Sequence, residues 1–205
     1  MENSLLDLGR LHGTDKVAHG YLPIYERFLE PMRRTAGTVL EIGVFKGASL
    51  RMWRDYFPAA TVIGLDISPD KAALAGERIA IEIGNCGDAG FLKRAAAKYR
   101  PFDLVVDDGS HLWAHQQTAF DVLFDHVKPG GVYILEDLHT SYIQKYGSAG
   151  GRPTVQWMKD RLDLVLGGSE MDLSSYDQGS RDFLRWRRQV EQVVLLRKSA
   201  LIVKR

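Results

Sequence analysis

The sequence has a single cysteine, Cys86, in 205 residues. No disulfide can therefore close within the chain, and no multi-cysteine metal centre can be built from it. No stretch approaches the roughly 18 to 20 uninterrupted apolar residues needed to cross a bilayer. The first residues, Met1-Glu2-Asn3-Ser4-Leu5-Leu6-Asp7, lack the basic start and apolar run of a secretory signal. The expectation is a soluble protein of the reducing cytoplasm with no membrane partner. Nor is there an excess of either charge: 27 Lys and Arg stand against 26 Asp and Glu, a net charge of +1. Such a balance offers no general field for a phosphate polymer, so a nucleic-acid partner is not expected. Internal repeats and low-complexity segments are also missing. With 45% hydrophobic residues, the length suits one substantial core. The expected unit is a single domain over residues 1–205, in which an N-terminal helical cap segment (1–37) precedes a Rossmann-like core (38–205).

Short apolar runs alternate with longer amphipathic ones, the pattern of βαβ units. Strands are expected at Thr38–Ile42, Thr61–Asp66, Ile79–Ile83, Phe102–Asp107 and Val132–Glu136. Helices are expected at Leu22–Arg33, Ala48–Tyr56, Pro69–Gly76, Ala89–Lys98, Trp113–His126 and Thr154–Leu166. Runs buried on both faces suit a parallel sheet covered by helices. At the end of the chain, Val190–Leu196 and Ala200–Lys204 read as an antiparallel hairpin at a sheet edge. The fold class is thus α/β, a doubly wound and mostly parallel sheet with a C-terminal hairpin. The polar, Gly-rich connection from His139 to Pro153 reads either as a lid or as a plain surface loop.

Ligands of open α/β sheets bind at the carboxyl ends of the strands. Those ends carry Glu41 and Gly43; Asp66; Asn85 and Asp88; Asp107 and Asp108; and Glu136 and Asp137. A single such end could be only a turn or a helix cap, but a full set points to a binding face. The turn Glu41-Ile42-Gly43-Val44-Phe45-Lys46-Gly47-Ala48-Ser49 places glycines ahead of a helix N-terminus, where a ligand can come close to the backbone. It is not G-x-G-x-x-G, because Phe45 stands two after Gly43, which argues against a nicotinamide dehydrogenase. Asp66, one βαβ step on, either accepts the hydroxyls of a ribose or caps the segment starting at Ser68. Together with the glycine turn it favours a nucleoside-containing cofactor.

Asp107 and Asp108 repel each other if they share a site with nothing positive beside them. A metal or a basic side chain relieves that repulsion; alternatively the two point apart. Glu136-Asp137 repeats the pair at the next strand end, and oxygens from Asp108, Glu136 and Asp137 suit Mg²⁺ or a similar hard cation. His111 lies close enough to face the same site, and the ordinary imidazole pKa of about 6.5 suits a proton acceptor at neutral pH. A helix-capping histidine is the competing reading, and His115 and His139 are neighbouring alternatives. Trp53, Trp113, Trp157 and Trp186 belong either to an acceptor pocket or to the core.

Taken together, several segments resemble the metal-dependent O-methyltransferases that act on sugars of macrolides and related natural products. They are Gly13-Thr14-Asp15-Lys16, His19-Gly20-Tyr21 with Tyr25-Glu26, Leu40 to Val44, Ser49 to Trp53, Asp107 to His111, and Lys128 to Gly131 through Glu136-Asp137. The similarity runs from about Leu8 to Tyr142. It implies a class I methyltransferase fold with Glu41, Gly43, Gly47, Ser49 and Asp66 around S-adenosylmethionine. Asn85, Asp88 and Asp107 complete the cofactor-binding set taken from the strand ends. The resemblance further implies Mg²⁺ on Asp108, Glu136 and Asp137, with His111 as general base, and a Thr14-Asp15-Lys16 segment that closes over the cofactor. Family members usually show Gly-Asp-Gln where this chain has Gly84-Asn85-Cys86. The implied activity is methyl transfer to a hydroxyl of a small acceptor, a sugar or glycosylated natural product of antibiotic biosynthesis, with self-association into a homo-oligomer left open. A catechol, phenol or amine acceptor, and a non-catalytic cofactor-binding subunit, are the alternatives.

Overall fold

A computed structural model describes residues 3–148, 150–167 and 171–205. Met1 and Glu2 of the expected cap segment, and Ala149 of the Gly-rich connection, lie outside the described residues. In chain order the elements are α1 (Leu5–His12), α2 (Lys16–His19), α3 (Leu22–Leu29), β1 (Thr38–Ile42), α4 (Ala48–Tyr56), β2 (Thr61–Asp66), β3 (Ile79–Ile83), α5 (Ala89–Tyr99), β4 (Phe102–Asp107), α6 (Trp113–Leu123), β5 (Val127–Leu135), α7 (Thr154–Leu166), α8 (Arg181–Gln189), β6 (Val190–Leu195) and β7 (Ala200–Lys204). They build one seven-stranded sheet in the order β3-β2-β1-β4-β5-β7-β6. The first five strands run parallel to one another, and β7 is antiparallel to both β5 and β6.

Alternation along each strand divides the core between the two faces. Val39, Val62, Leu104, Val106 and Ile134 meet α1, α3 and α4, with Leu5, Leu22, Tyr25, Trp53 and Tyr56 buried against them. Leu40, Ile63, Val105, Tyr133 and Ile202 face the opposite way, against α5 to α8 and the stacked Phe120, Phe124 and Trp186. All four tryptophans are buried, so they belong to the core rather than to an acceptor pocket. No helix among the described residues is long and apolar enough to cross a membrane.

Several boundaries differ from the sequence expectation, for local reasons. Strand β5 starts at Val127 and ends at Leu135, leaving Glu136 just beyond it; Gly130, with φ of 76°, lies in the irregular start of its pairing with β4. The helix expected to reach Arg33 stops at Leu29 and tightens into a 3₁₀ turn at Glu30–Met32, where Pro31 has no N–H to give. Pro69–Leu74 is likewise a 3₁₀ stretch, and α6 gives way to one at Phe124–His126. Helix α8 was not expected, and α1 and α2, which fall in the expected helical cap segment, were not placed individually. Ser4 and Asp7 close a capping box on α1. In α8 the Ser180 hydroxyl accepts from the Phe183 N–H, and Arg185, 1% exposed, is held by Asp121 and Asp125. The connection after β5 begins with a 3₁₀ turn at Leu138–Tyr142. Trp113 Nε1 donates to the Thr140 carbonyl there, and the Val155 N–H donates to Ser141 Oγ.

Candidate active site

The carboxyl ends of β1, β4 and β5 are adjacent in the sheet, so their acidic residues are brought together. A cleft of about 980 Å³ opens above them, a size that suits a nucleoside cofactor together with part of an acceptor. Gly43 permits its shape. Its φ is 91°, and a Cβ there would lie 2.1 Å from the Asp108 carbonyl oxygen, so only glycine lets the ends of β1 and β4 come this close.

Asp66 lines the cleft and organises the glycine turn. Its Oδ2 accepts from the Val44 and Phe45 N–H groups at 2.9 and 3.4 Å, and its Oδ1 from the Ser68 N–H at 2.9 Å. Ser49 and Asn85 also line the cleft; the Asn85 Oδ1 accepts from the Gly87 N–H. Four of the residues expected around the cofactor do not line it. Glu41 is fully buried and accepts from Ser49 Oγ at 2.7 Å. Gly47, left-handed at φ 70°, starts α4. Asp88 caps α5 by accepting from the Gly90 N–H. Asp107 turns into the core, within 3.4 Å of the Tyr133 hydroxyl.

Asp107 and Asp108 thus point apart, as successive strand residues do. Burial, with the neighbouring Asp108 charge adding to it, pushes the Asp107 carboxyl up to about 7. Asp108 faces the cleft side and meets a basic side chain that the strand-end pattern could not supply. Lys16, 1% exposed, places its Nζ 2.6 Å from Asp108 Oδ2, 2.9 Å from Glu136 Oε2 and 3.3 Å from Glu41 Oε1. Burial works against the ammonium charge, yet Glu136, Glu41 and Asp108 hold its pKa well above the ordinary lysine value. Burial pushes Glu136 and Glu41 up, while Lys16 pulls both down.

Asp137 is ringed by His111 Nε2 at 3.5 Å, His139 Nδ1 at 3.8 Å, His19 Nδ1 at 3.9 Å and the Tyr21 hydroxyl at 3.4 Å. Ligand atoms of Asp108, His111 and Asp137 lie within 4.8 Å of one another. Glu136, the third carboxylate of the expected metal set, is outside that group and gives one oxygen to Lys16; its Oε1 is buried without a hydrogen-bond partner among the described residues. His111 and Asp137 both hold left-handed backbone, φ 57° and 54°, and the Thr140 hydroxyl lies 3.3 and 2.8 Å from their carbonyl oxygens. Left-handed conformations outside glycine concentrate where a site requires them. Thr14, Asp15 and Lys16, the segment expected over the cofactor, line the cleft; the contacts of Lys16 with the carboxylates, and the places of His19 and Tyr21 beside Asp137, were not foreseen. The available signal was the surplus of acids at neighbouring strand ends, which calls for a nearby cation.

Mostly parallel strands, a β7 inserted antiparallel beside β5, and an acidic cleft at the carboxyl ends define the class I methyltransferase fold. Residues 39–131 match the family model of a methyltransferase domain. The MycE methyltransferase of the mycinamycin biosynthetic pathway, solved with Mg and SAH, superposes with a TM-score of 0.89 at 32% identity, over 100% of this chain and 55% of that one. A second structure of it, with Mg, SAH and mycinamycin VI, gives 0.84 at 33% identity, covering 99% and 55%. Among curated sequences, the 8-demethyl-8-(2-methoxy-alpha-L-rhamnosyl)-tetracenomycin-C 3'-O-methyltransferase of Streptomyces olivaceus is 43% identical over 174 residues, 77% of this chain and 44% of that protein. The mycinamicin VI 2''-O-methyltransferase of Micromonospora griseorubida is 45% identical over 136 residues, 63% and 34%. The chain has the class I methyltransferase fold and is similar to these sugar O-methyltransferases of natural-product pathways. It spans about half the length of the relatives it matches, or less.

Proposed function

We propose that this chain transfers the methyl group of S-adenosylmethionine to a hydroxyl on a sugar of a glycosylated natural product, with Mg²⁺ as its metal, in the cytoplasm. We infer a single unit in which residues 38–205 form the core and 1–37 cap it. The observation that carries the activity is one cleft with the Gly43 turn and Asp66 in its wall and, in the same wall, Asp108, His111 and Asp137 grouped within 4.8 Å. MycE, bound to Mg and SAH in its structures, supports the same pair of ligands here.

The residues fit both groups. Asp108 and Asp137 offer the hard oxygens that Mg²⁺ prefers, and Glu136 keeps one oxygen, Oε1, without a hydrogen-bond partner among the described residues. Asp66 has carboxylate lone pairs to spare for ribose hydroxyls, Asn85 can read the edge of a base, and Gly43 and Ser49 line the adjoining wall. Glu41, Gly47, Asp88 and Asp107 act from behind, shaping the turn and strand ends. When bound, S-adenosylmethionine supplies an activated methyl carbon and Mg²⁺ a positive charge that acidifies and orients an acceptor hydroxyl.

His111 takes the acceptor proton at Nε2, and the imidazolium formed lies beside the Asp137 carboxylate at 3.5 Å. Thr140, close to the carbonyls of both residues, keeps the ring in place for that transfer. Titrating S-adenosylmethionine into the purified protein by calorimetry, then adding labelled cofactor and a panel of glycosylated macrolides, tests the reading. Saturable binding followed by label on the sugar is expected. A folded protein that binds no cofactor removes the proposal, and label on phenols or amines but not sugars replaces the acceptor class.

A further inference from the structure

Three carboxylates from three adjacent strand ends converge on the Lys16 ammonium: Asp108 at 2.6 Å, Glu136 at 2.9 Å and Glu41 at 3.3 Å. Glu41 and Glu136 are 0% and 2% exposed, so water cannot spread their charge, and burial on this scale demands a counter-ion. Three hard oxygens around one buried point are also the ligand set of a divalent cation, which would draw them in to roughly 2.0–2.6 Å depending on the ion. Asp108 belongs at the same time to the neighbouring group with His111 and Asp137. Two cation positions that share one carboxylate have the connectivity of a two-metal centre. Here one of the two is filled covalently by the chain.

We infer that Lys16 is a positioning residue that stands in for a second metal ion, fixing Asp108 and Glu136 and restricting the acidic site to one exchangeable divalent cation. The single-cation count rests on the metal reading proposed above; the stand-in role rests on the three contacts to Nζ. Glu136 Oε1, buried and without a hydrogen-bond partner among the described residues, marks coordination capacity that one ammonium does not use. Helix α2 carries Lys16 between Gly13 and Gly20, both left-handed, and this delivers the lysine from outside the sheet into the acidic floor. A purely structural buried ion pair would hold the same atoms together, but it would not set how many ions the site accepts.

The test is Mn²⁺ binding to the metal-stripped protein, followed by calorimetry and electron paramagnetic resonance, in wild type, Lys16→Ala and Lys16→Arg. Wild type and Lys16→Arg are expected to take one ion with an isolated Mn²⁺ spectrum. Lys16→Ala is expected to take one ion more, with the broadened signal of an exchange-coupled pair. Equal stoichiometry in wild type and Lys16→Ala overturns the inference. If Lys16→Ala does not fold on its own, the readout becomes rescue: folding in millimolar MnCl₂ supports the stand-in role, and failure to fold with the ion present overturns it. A wild type that binds no Mn²⁺ removes the metal reading itself, and the inference then depends on whether Lys16→Ala binds one.

Discussion

His111 Nε2 stands 3.5 Å from Asp137 Oδ2, each residue in a left-handed backbone conformation. The Thr140 hydroxyl lies within 3.3 Å of both carbonyls. This pairing sets an imidazole beside a carboxylate that can stabilise its charged form, as the proposed role of His111 as base requires. His111→Ala should lower kcat by about 10²- to 10⁴-fold while leaving the dissociation constant for S-adenosylmethionine nearly unchanged. Steady-state kinetics alongside calorimetry reads both quantities. Weakened cofactor binding at normal turnover would contradict the assigned role.

Gly43 bears on stability as well as on the site. A Cβ there meets the Asp108 carbonyl oxygen at 2.1 Å, and φ is 91°, so neither the space nor the backbone suits alanine. Gly43→Ala should destabilise the fold by more than about 2 kcal/mol, read by urea unfolding. A loss under about 0.5 kcal/mol would mean that the two strand ends are not locked together as described.

Asp107 gives the fold a pH dependence of definite sign. Burial raises its carboxyl to about 7 in the folded state, against an ordinary value near 3.9 when unfolded. The folded chain therefore holds more protons between these values. Its contribution to stability is fully present below about pH 4 and is lost as pH rises through 7. In the limit the loss is on the order of 4 kcal/mol. Asp107→Asn should flatten that decline, so the variant gains on wild type as pH rises from 4 to 8. Parallel curves of stability against pH would show that Asp107 is not the responsible group.

The centre of the sheet was legible because β2 and β4 are short, largely apolar runs stopped by an aspartate, as in Leu104-Val105-Val106-Asp107. Burial on both faces requires that pattern. Helix α1 was not legible, since eight residues with Gly9 inside give little periodic signal. Helix α8 was hidden by its arginines, one of which, Arg185, is buried through partners in α6 and the turn after it. The acids at the strand ends could be placed from sequence, but not their directions. Asp107 and Asp108 diverge because adjacent strand residues alternate, and which of them faces the cleft depends on how β4 sits between β1 and β5. Lys16 could be placed near the site by resemblance, but not its carboxylate partners: those contacts span 25, 92 and 120 positions to Glu41, Asp108 and Glu136, and only the folded sheet brings those positions together.

The central claim is that the acidic group around Asp108 and Asp137 and the glycine-turn cleft act together in metal-dependent methyl transfer. Its most direct test is the rate of label transfer from S-adenosylmethionine to a glycosylated macrolide as Mg²⁺ is titrated into metal-stripped protein. The account predicts transfer that saturates with Mg²⁺, stops in excess EDTA and is nearly lost in Asp137→Asn. Undiminished transfer in EDTA, with Asp137→Asn as fast as wild type, would contradict it.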